Sequence, residues 1–367
     1  MITNTCRMLV AGCLTVGLMA CSGAADVAAA AAEESIENRL VARIAQAERD
    51  GASGMLRIAR DGRVVFQSGF GSASCRRHEP VTPAHLFMIG SITKEMTRVL
   101  GYILEEKGFL NLGMTVRDYV PDFSGDIGRV SIGQLLDHTG GLPDLIDASG
   151  QPVPYSIDYD YAPISRNELL DRAERTSLLF EPGSSEAYSN LGFQLLAAIY
   201  EVTTGISYAA LLEQFIFEPA GMTDTGFWFN DNPARQFADG CLPGDQHWGN
   251  PIDDAMWDGN GPSWNLLGAG GLLSTAESLG RFFEALGKGD FFASAGQSEK
   301  YKESRMVYSD SREQRIMGPA GSNGIFNAVA FWADRSRFSV ILMTNRADHQ
   351  AEEGLVQDIL GIFSPTY

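Results

Sequence analysis

The chain has 367 residues, 44% of them hydrophobic and 20% charged, a balance that supports a globular protein with a sizeable core. Its formal net charge is −18, and the short run Arg76-Arg77-His78 does not offset it. A chain this acidic repels nucleic acid and anionic membrane surfaces, so both are excluded as electrostatic partners.

Residues 1–20 read as an export signal rather than part of the fold. Arg7 is followed by an apolar run from Met8 to Ala20 that is too short to span a membrane. Leu18-Met19-Ala20-Cys21 looks like the lipobox of bacterial lipoproteins, which makes Cys21 the expected lipidated N-terminus. The alternative is ordinary cleavage after Ala20 or Ala24. Residues 21–33 then form a flexible tether that holds a domain at a membrane surface, in the bacterial cell envelope on the periplasmic side. Cys75 and Cys241 remain in the folded part. Export permits a disulfide between them, but two buried thiols fit the sequence equally well.

Glu34 to Asp50 carries Ile36, Leu40, Ile44 and Ala47 on one face and reads as a helix. Strands follow at Gly54–Ala59 and Arg63–Gly69, joined by the turn Asp61-Gly62. An amphipathic helix begins near Ser91, runs to about Glu106 and stops at Gly108. From Thr115 to Phe229 the pattern is helical and broken by Pro and Gly, with Gly150–Pro163 as a polar loop. Residues 230–265 show no periodicity and read as a long surface loop. Thr275 or Ser274 caps a helix through Leu286. After a charged segment come strands at Asn327–Ala333 and Phe338–Thr344 and a closing helix, Ala351–Phe363. The expected fold is α/β (α+β): an antiparallel sheet flanked by N- and C-terminal helices, interrupted by a mostly helical domain, with the active site between them. The sheet domain takes residues 34–80 and 266–367 and the helical domain 81–265.

Chemistry concentrates at Ser91-Ile92-Thr93-Lys94. Residues three apart share a helix face, so Lys94 lies where it can take the proton of a Ser91 nucleophile. Apolar flanks favour a neutral lysine, as a base at neutral pH requires. The bland reading is a capping serine and a solvated lysine, and this short motif arises often by chance. Other schemes fail: there is no Gly-x-Ser-x-Gly and no His-Glu-x-x-His, and His138, before Gly140-Gly141, reads as a structural hydrogen-bonding residue. No Cys/His spacing suggests a metal, and no cofactor is expected.

With Tyr188-Ser189-Asn190 and His138-Thr139-Gly140-Gly141-Leu142-Pro143-Asp144, the chain resembles the serine β-lactamase-like hydrolases. The likeness is to the class C β-lactamase and penicillin-binding-protein branch, which includes esterases and D-aminopeptidases. It runs from Gly54 to Arg346, in the family's motif order. It implies Ser91 as the acylated nucleophile, Lys94 as its activator and Tyr188 as proton relay. Asn190 then binds the substrate amide or positions Lys94. It also implies an oxyanion hole from the N–H groups of Ser91 and Ser322, the residue after Gly321. The family's third motif, Lys-Thr-Gly or His-x-Gly, corresponds here to Gly318–Gly324, so Pro319 stands where a basic side chain is usual. The expected function is an exported serine hydrolase working through an acyl-enzyme on small-molecule or peptide-like esters or amides. Esterase or D-amino-acid peptidase activity is expected over dedicated β-lactamase activity. The alternative is a non-catalytic member that binds peptidoglycan-like ligands or a partner protein. Pro319 separates the two, as a change of specificity in one and loss of the site in the other.

Overall fold

The computed structural model describes residues 36–153, 163–227, 236–244, 246–249, 263–309, 314–347, 354–356 and 358–359. The signal, Cys21, the tether and most of the Gly150–Pro163 loop lie outside them. Two compact units are present, Met1–Asp50 with Ala351–Tyr367, and Gly51–Gln350. In the first, helix α1 (residues 36–49) buries Leu40, Ile44 and Ala47, the stripe expected from the sequence, and Arg43 pairs with Asp358.

The second unit is built on an antiparallel sheet. Strands β1 (Gly54–Arg60) and β2 (Arg63–Phe70) form a hairpin. Asp61 and Gly62 both take positive φ, 54° and 76°, the geometry of a two-residue turn matched to strand twist. Strand β3 (His85–Met88) and the two-residue strand β4 (Leu273–Ser274) belong to a separate small sheet with Thr225–Gly226 and Gln236–Phe237. The remaining strands of the large sheet are β5 (Val307–Ser309), β6 (Gln314–Met317), β7 (Ala320–Ser322), β8 (Asn327–Ala333) and β9 (Phe338–Thr344). Its order is β5-β6-β8-β9-β1-β2, with β7 paired to β8 beyond the end of β6. Strand β9 is buried along its whole length and lies inside the sheet between β8 and β1, in keeping with its apolar run Val340–Met343.

Helix α2 (Thr93–Glu106) follows a 3₁₀ turn, Gly90–Ile92, and is buried from Thr93 to Leu104. A helix covered on every side is a core element, and Met96, Val99, Leu100 and Ile103 bind the helical segments together around it. Helix α3 (Asn190–Thr204) starts at Ser189, whose hydroxyl accepts the Gly192 N–H, and ends at Gly205 with φ 72°. Helix α4 (Ala276–Lys288) is capped by Thr275. It lies beside β1 through Gly280, where an added Cβ would stand 2.4 Å from the Arg57 guanidinium.

Two stretches differ from expectation. Residues 230–265 contain short strands at Gln236–Phe237, Gly240–Leu242 and Gln246–Gly249, and Ala238 and Cys241 are buried. Strands of two to four residues are too short to develop a readable alternation. The charged segment before β5 contains helix α5 (Ala295–Arg305), which buries only Ser298 and Tyr301 and so writes no apolar stripe. Cys75 and Cys241 form a disulfide with Cα atoms 5.7 Å apart, which decides between bridge and free thiols.

Candidate active site

Ser91 sits in the 3₁₀ turn that leads directly into α2, and Lys94 is the second residue of that helix. The Lys94 amine is 3.0 Å from Ser91 Oγ, and Tyr188 Oη lies 2.6 Å from the same oxygen. Lys94 Nζ also reaches Asn190 Oδ1 at 2.7 Å and the Ala269 carbonyl at 2.7 Å. Its hydrogen-bonding capacity is therefore spent on three neutral oxygens. Lys94 is 3% exposed. Burial pushes its pKa from the ordinary lysine value down to about 7; the Asp144 carboxylate opposes that shift and the Arg98 guanidinium reinforces it. Near neutral pH a large share of Lys94 is a free amine, the form able to accept the serine proton.

Tyr188 and Asn190 are aimed by the start of α3. Ser189 turns the chain into the helix, donating to the Pro143 carbonyl at 2.7 Å while capping Gly192. Asp144 Oδ1 accepts both the Asn190 backbone N–H, at 2.9 Å, and its side-chain amide N–H, at 2.7 Å. That fixes the Asn190 amide with its oxygen toward Lys94. His138 adopts φ 58°, stacks on the Tyr188 ring with centroids 4.8 Å apart, and accepts the Ser189 N–H on Nδ1 at 3.1 Å. Its own carbonyl accepts the Ala187 N–H at 3.0 Å. Burial, then the nearby Arg98 and Lys94 charges, pushes the His138 pKa down to about 3. The imidazole is thus neutral and holds Tyr188 in place, the structural role expected of it.

Opposite Ser91 lies β7. Ala330 N–H donates to Pro319 O, and Asn323 N–H donates to Phe326 O. Hydrogen-bonded pairs alternate along an antiparallel ladder, so the intervening Ser322 turns its N–H away from β8. It turns toward Gly90-Ser91. A Cβ on Gly90, where φ is 48°, would stand 2.6 Å from Ser322 N, and one on Gly321 would stand 2.6 Å from Ser91 N. Both positions need glycine for this approach, which packs the Gly321-Ser322 backbone directly against Gly90-Ser91. The Ser91 N–H, in the first turn of its helix, has no intrahelical acceptor.

These groups open onto a cavity of about 220 Å³. Met88, Leu145 and Leu266 give it apolar walls, and Asp144, Asn190, Asn265 and Asn323 add polar ones. Of the six site residues expected from the sequence, Ser91, Tyr188, Asn190 and Ser322 line this cavity, while Lys94 and Gly321 lie against Ser91 behind the wall. Two contributors were not anticipated. Asp144 follows the Leu142-Pro143 pair, and that position inside a motif was the available signal. The Ala269 carbonyl is a backbone group and leaves no side-chain signal at all. Among the described residues no group of three or more His, Cys, Asp or Glu is placed to hold a metal ion.

The beta-lactamase family model matches residues 36–358. The chain belongs to the beta-lactamase family. A penicillin-binding protein of Bacillus subtilis (strain 168) is 30% identical over 332 residues, 84% of this chain and 72% of its own length. The esterase EstB of Burkholderia gladioli is 31% identical over 179 residues, which is 46% of this chain and 45% of that enzyme. Among solved structures, a class C beta-lactamase superposes with a TM-score of 0.71 at 18% identity, covering 90% of this chain and 96% of its own. The D-amino acid amidase of Ochrobactrum anthropi SV3 superposes with a TM-score of 0.70 at 21% identity, covering 90% and 99%. At such identities the superpositions establish the mixed α/β fold with its antiparallel sheet. The family is one of serine hydrolases.

Proposed function

We propose that the protein hydrolyses esters or amides through an acyl-enzyme on Ser91. The observation that carries this reading is the Ser91 hydroxyl held between Tyr188 Oη at 2.6 Å and a lysine with pKa lowered to about 7. Neutral Lys94 takes the serine proton, directly or through Tyr188, as Ser91 Oγ bonds to the substrate carbonyl carbon. The Ser91 and Ser322 N–H groups receive the charge that develops on the carbonyl oxygen; each such donor contributes about 3–4 kcal/mol in serine hydrolases. The bond to the leaving group then breaks, and Tyr188 or Lys94 returns the proton to it. Water, deprotonated by the same pair, attacks the ester and releases acid and free Ser91.

Intact-mass analysis after treatment with a fluorophosphonate tests the nucleophile. One adduct is expected on wild type and none on Ser91→Ala; an unlabelled wild type would overturn the hydrolase reading, and a labelled Ser91→Ala would move the nucleophile elsewhere. The esterase or amino-acid peptidase form is favoured over a dedicated β-lactamase. Pro319 offers no cationic side chain for a penicillin carboxylate, and turnover of a p-nitrophenyl ester well above that of nitrocefin is the expected result.

The reading extends to export and lipid attachment. The Cys75–Cys241 disulfide supports an oxidising compartment. Arg7, the apolar run after it and Leu18-Met19-Ala20-Cys21 support an anchor at Cys21. Palmitate labelling that persists in Cys21→Ser would reject the anchor.

A further inference from the structure

The charge lining the cavity is unequal. Of its described lining residues, Asp144 alone carries an acidic or basic side chain on the wall. The nearest amine, Lys94, is buried behind Ser91 and bonded to Ser91, Asn190 and Ala269, so it has no donor left for a substrate anion. Asp144 is different. Its Oδ1 takes both Asn190 N–H groups, and no donor among the described residues reaches Oδ2. That oxygen belongs to a half-buried side chain on the cavity wall, one amide away from the lysine that touches the nucleophile. A carboxylate in a partly desolvated cleft whose other described lining residues are uncharged attracts a cation more strongly than it would in water, and repels an anion by the same margin.

Resting on the hydrolase reading above, we propose that Asp144 is a specificity determinant that selects esters or amides whose acyl part carries an ammonium group and rejects those whose acyl part carries a carboxylate. The ammonium pairs with Asp144 Oδ2 while the carbonyl lies over Ser91, between its N–H and that of Ser322. Holding Asn190 and greeting the substrate are compatible, because they use different oxygens of one carboxylate.

Three p-nitrophenyl esters of matched length test this: γ-trimethylammonio-butyrate, its neutral tert-butyl carbon isostere, and glutarate. Measured on wild type above the lysine titration, kcat/KM should fall in that order, by about fivefold to tenfold per step, the scale of one partly screened charge pair. In Asp144→Asn, which keeps an acceptor for Asn190, the three values should converge to within about twofold. Raising the salt concentration on wild type should compress the same ratios, a readout that needs no variant. Turnover with no charge order in wild type would overturn the proposal and leave the hydrolase reading standing. A loss in Asp144→Asn shared equally by all three esters would also overturn it, since Asp144 would then only position Asn190. No turnover of any ester by wild type would overturn both.

Discussion

Arg57 and Lys94 are both buried cations of the larger unit, and their surroundings differ in kind. Arg57, on β1, is 1% exposed and is clasped by two carboxylates of α4, Glu277 at 2.9 Å and Glu284 at 3.1 Å. Lys94, on α2, is buried as deeply but is bonded to a hydroxyl, an amide oxygen and a backbone carbonyl. Full counter-charges keep a buried cation charged and make it a structural clamp. Neutral acceptors leave the desolvation cost standing, so the amine meets it by giving up its proton. The same depth of burial therefore yields a fastener in one place and, in the other, an amine suited to the base role proposed for it.

Replacing each cation by methionine should separate the two roles. Lys94→Met is expected to lower kcat/KM by about 10²–10⁴, the range for loss of a general base. Its thermal midpoint should move little. The depressed lysine pKa means that Lys94 contributes stability above the unfolded lysine range and loses it as pH falls toward about 7, so removing the amine relieves a penalty at neutral pH. That gain offsets the acceptors left unfilled at Asn190 and Ala269. Arg57→Met should do the reverse, costing about 3 kcal/mol of unfolding free energy, the lower end for a broken buried pair because Glu277 is 39% exposed. Its folded fraction should keep kcat. Urea unfolding and ester turnover measured on both variants check the crossing. If Lys94→Met lost as much stability as Arg57→Met, the contrast between base and fastener would fail.

The two sites were not equally legible in sequence. Lys94 announced itself through its spacing from Ser91, and Tyr188-Ser189-Asn190 through its likeness to a motif of the serine β-lactamase-like hydrolases. The hairpin at Asp61-Gly62 and the central strand Phe338–Thr344 were readable because turn chemistry and apolar runs are local signals. Arg57 was not. An arginine in a strand reads as an outward residue, and nothing local says that Glu277 and Glu284 lie over it from more than 200 residues away. The Ala269 carbonyl and the disulfide partnership of Cys75 share that property: each depends on a distance that only the folded chain supplies.

The contrast also has a pH signature. A base with pKa near 7 gives kcat/KM an ascending limb centred close to pH 7, because activity follows the neutral amine and appears as pH rises through that value. An ascending limb near the ordinary lysine value instead would show that Lys94 is not desolvated in solution.

The smallest effect expected is a displacement of that limb. Asp144 favours the charged form of Lys94 by the attraction of its carboxylate for the ammonium. Asp144→Asn removes the charge and keeps an acceptor for Asn190, so the free amine should persist to lower pH and the limb should move in that direction. Measured with the neutral ester, which does not depend on the charge of the wall, the shift reports Lys94 alone. A limb that stays in place would mean that Asp144 does not reach the lysine electrostatically. A limb that moves upward would mean that the variant had opened the site to water, since hydration of Lys94 is the change that restores its ordinary pKa.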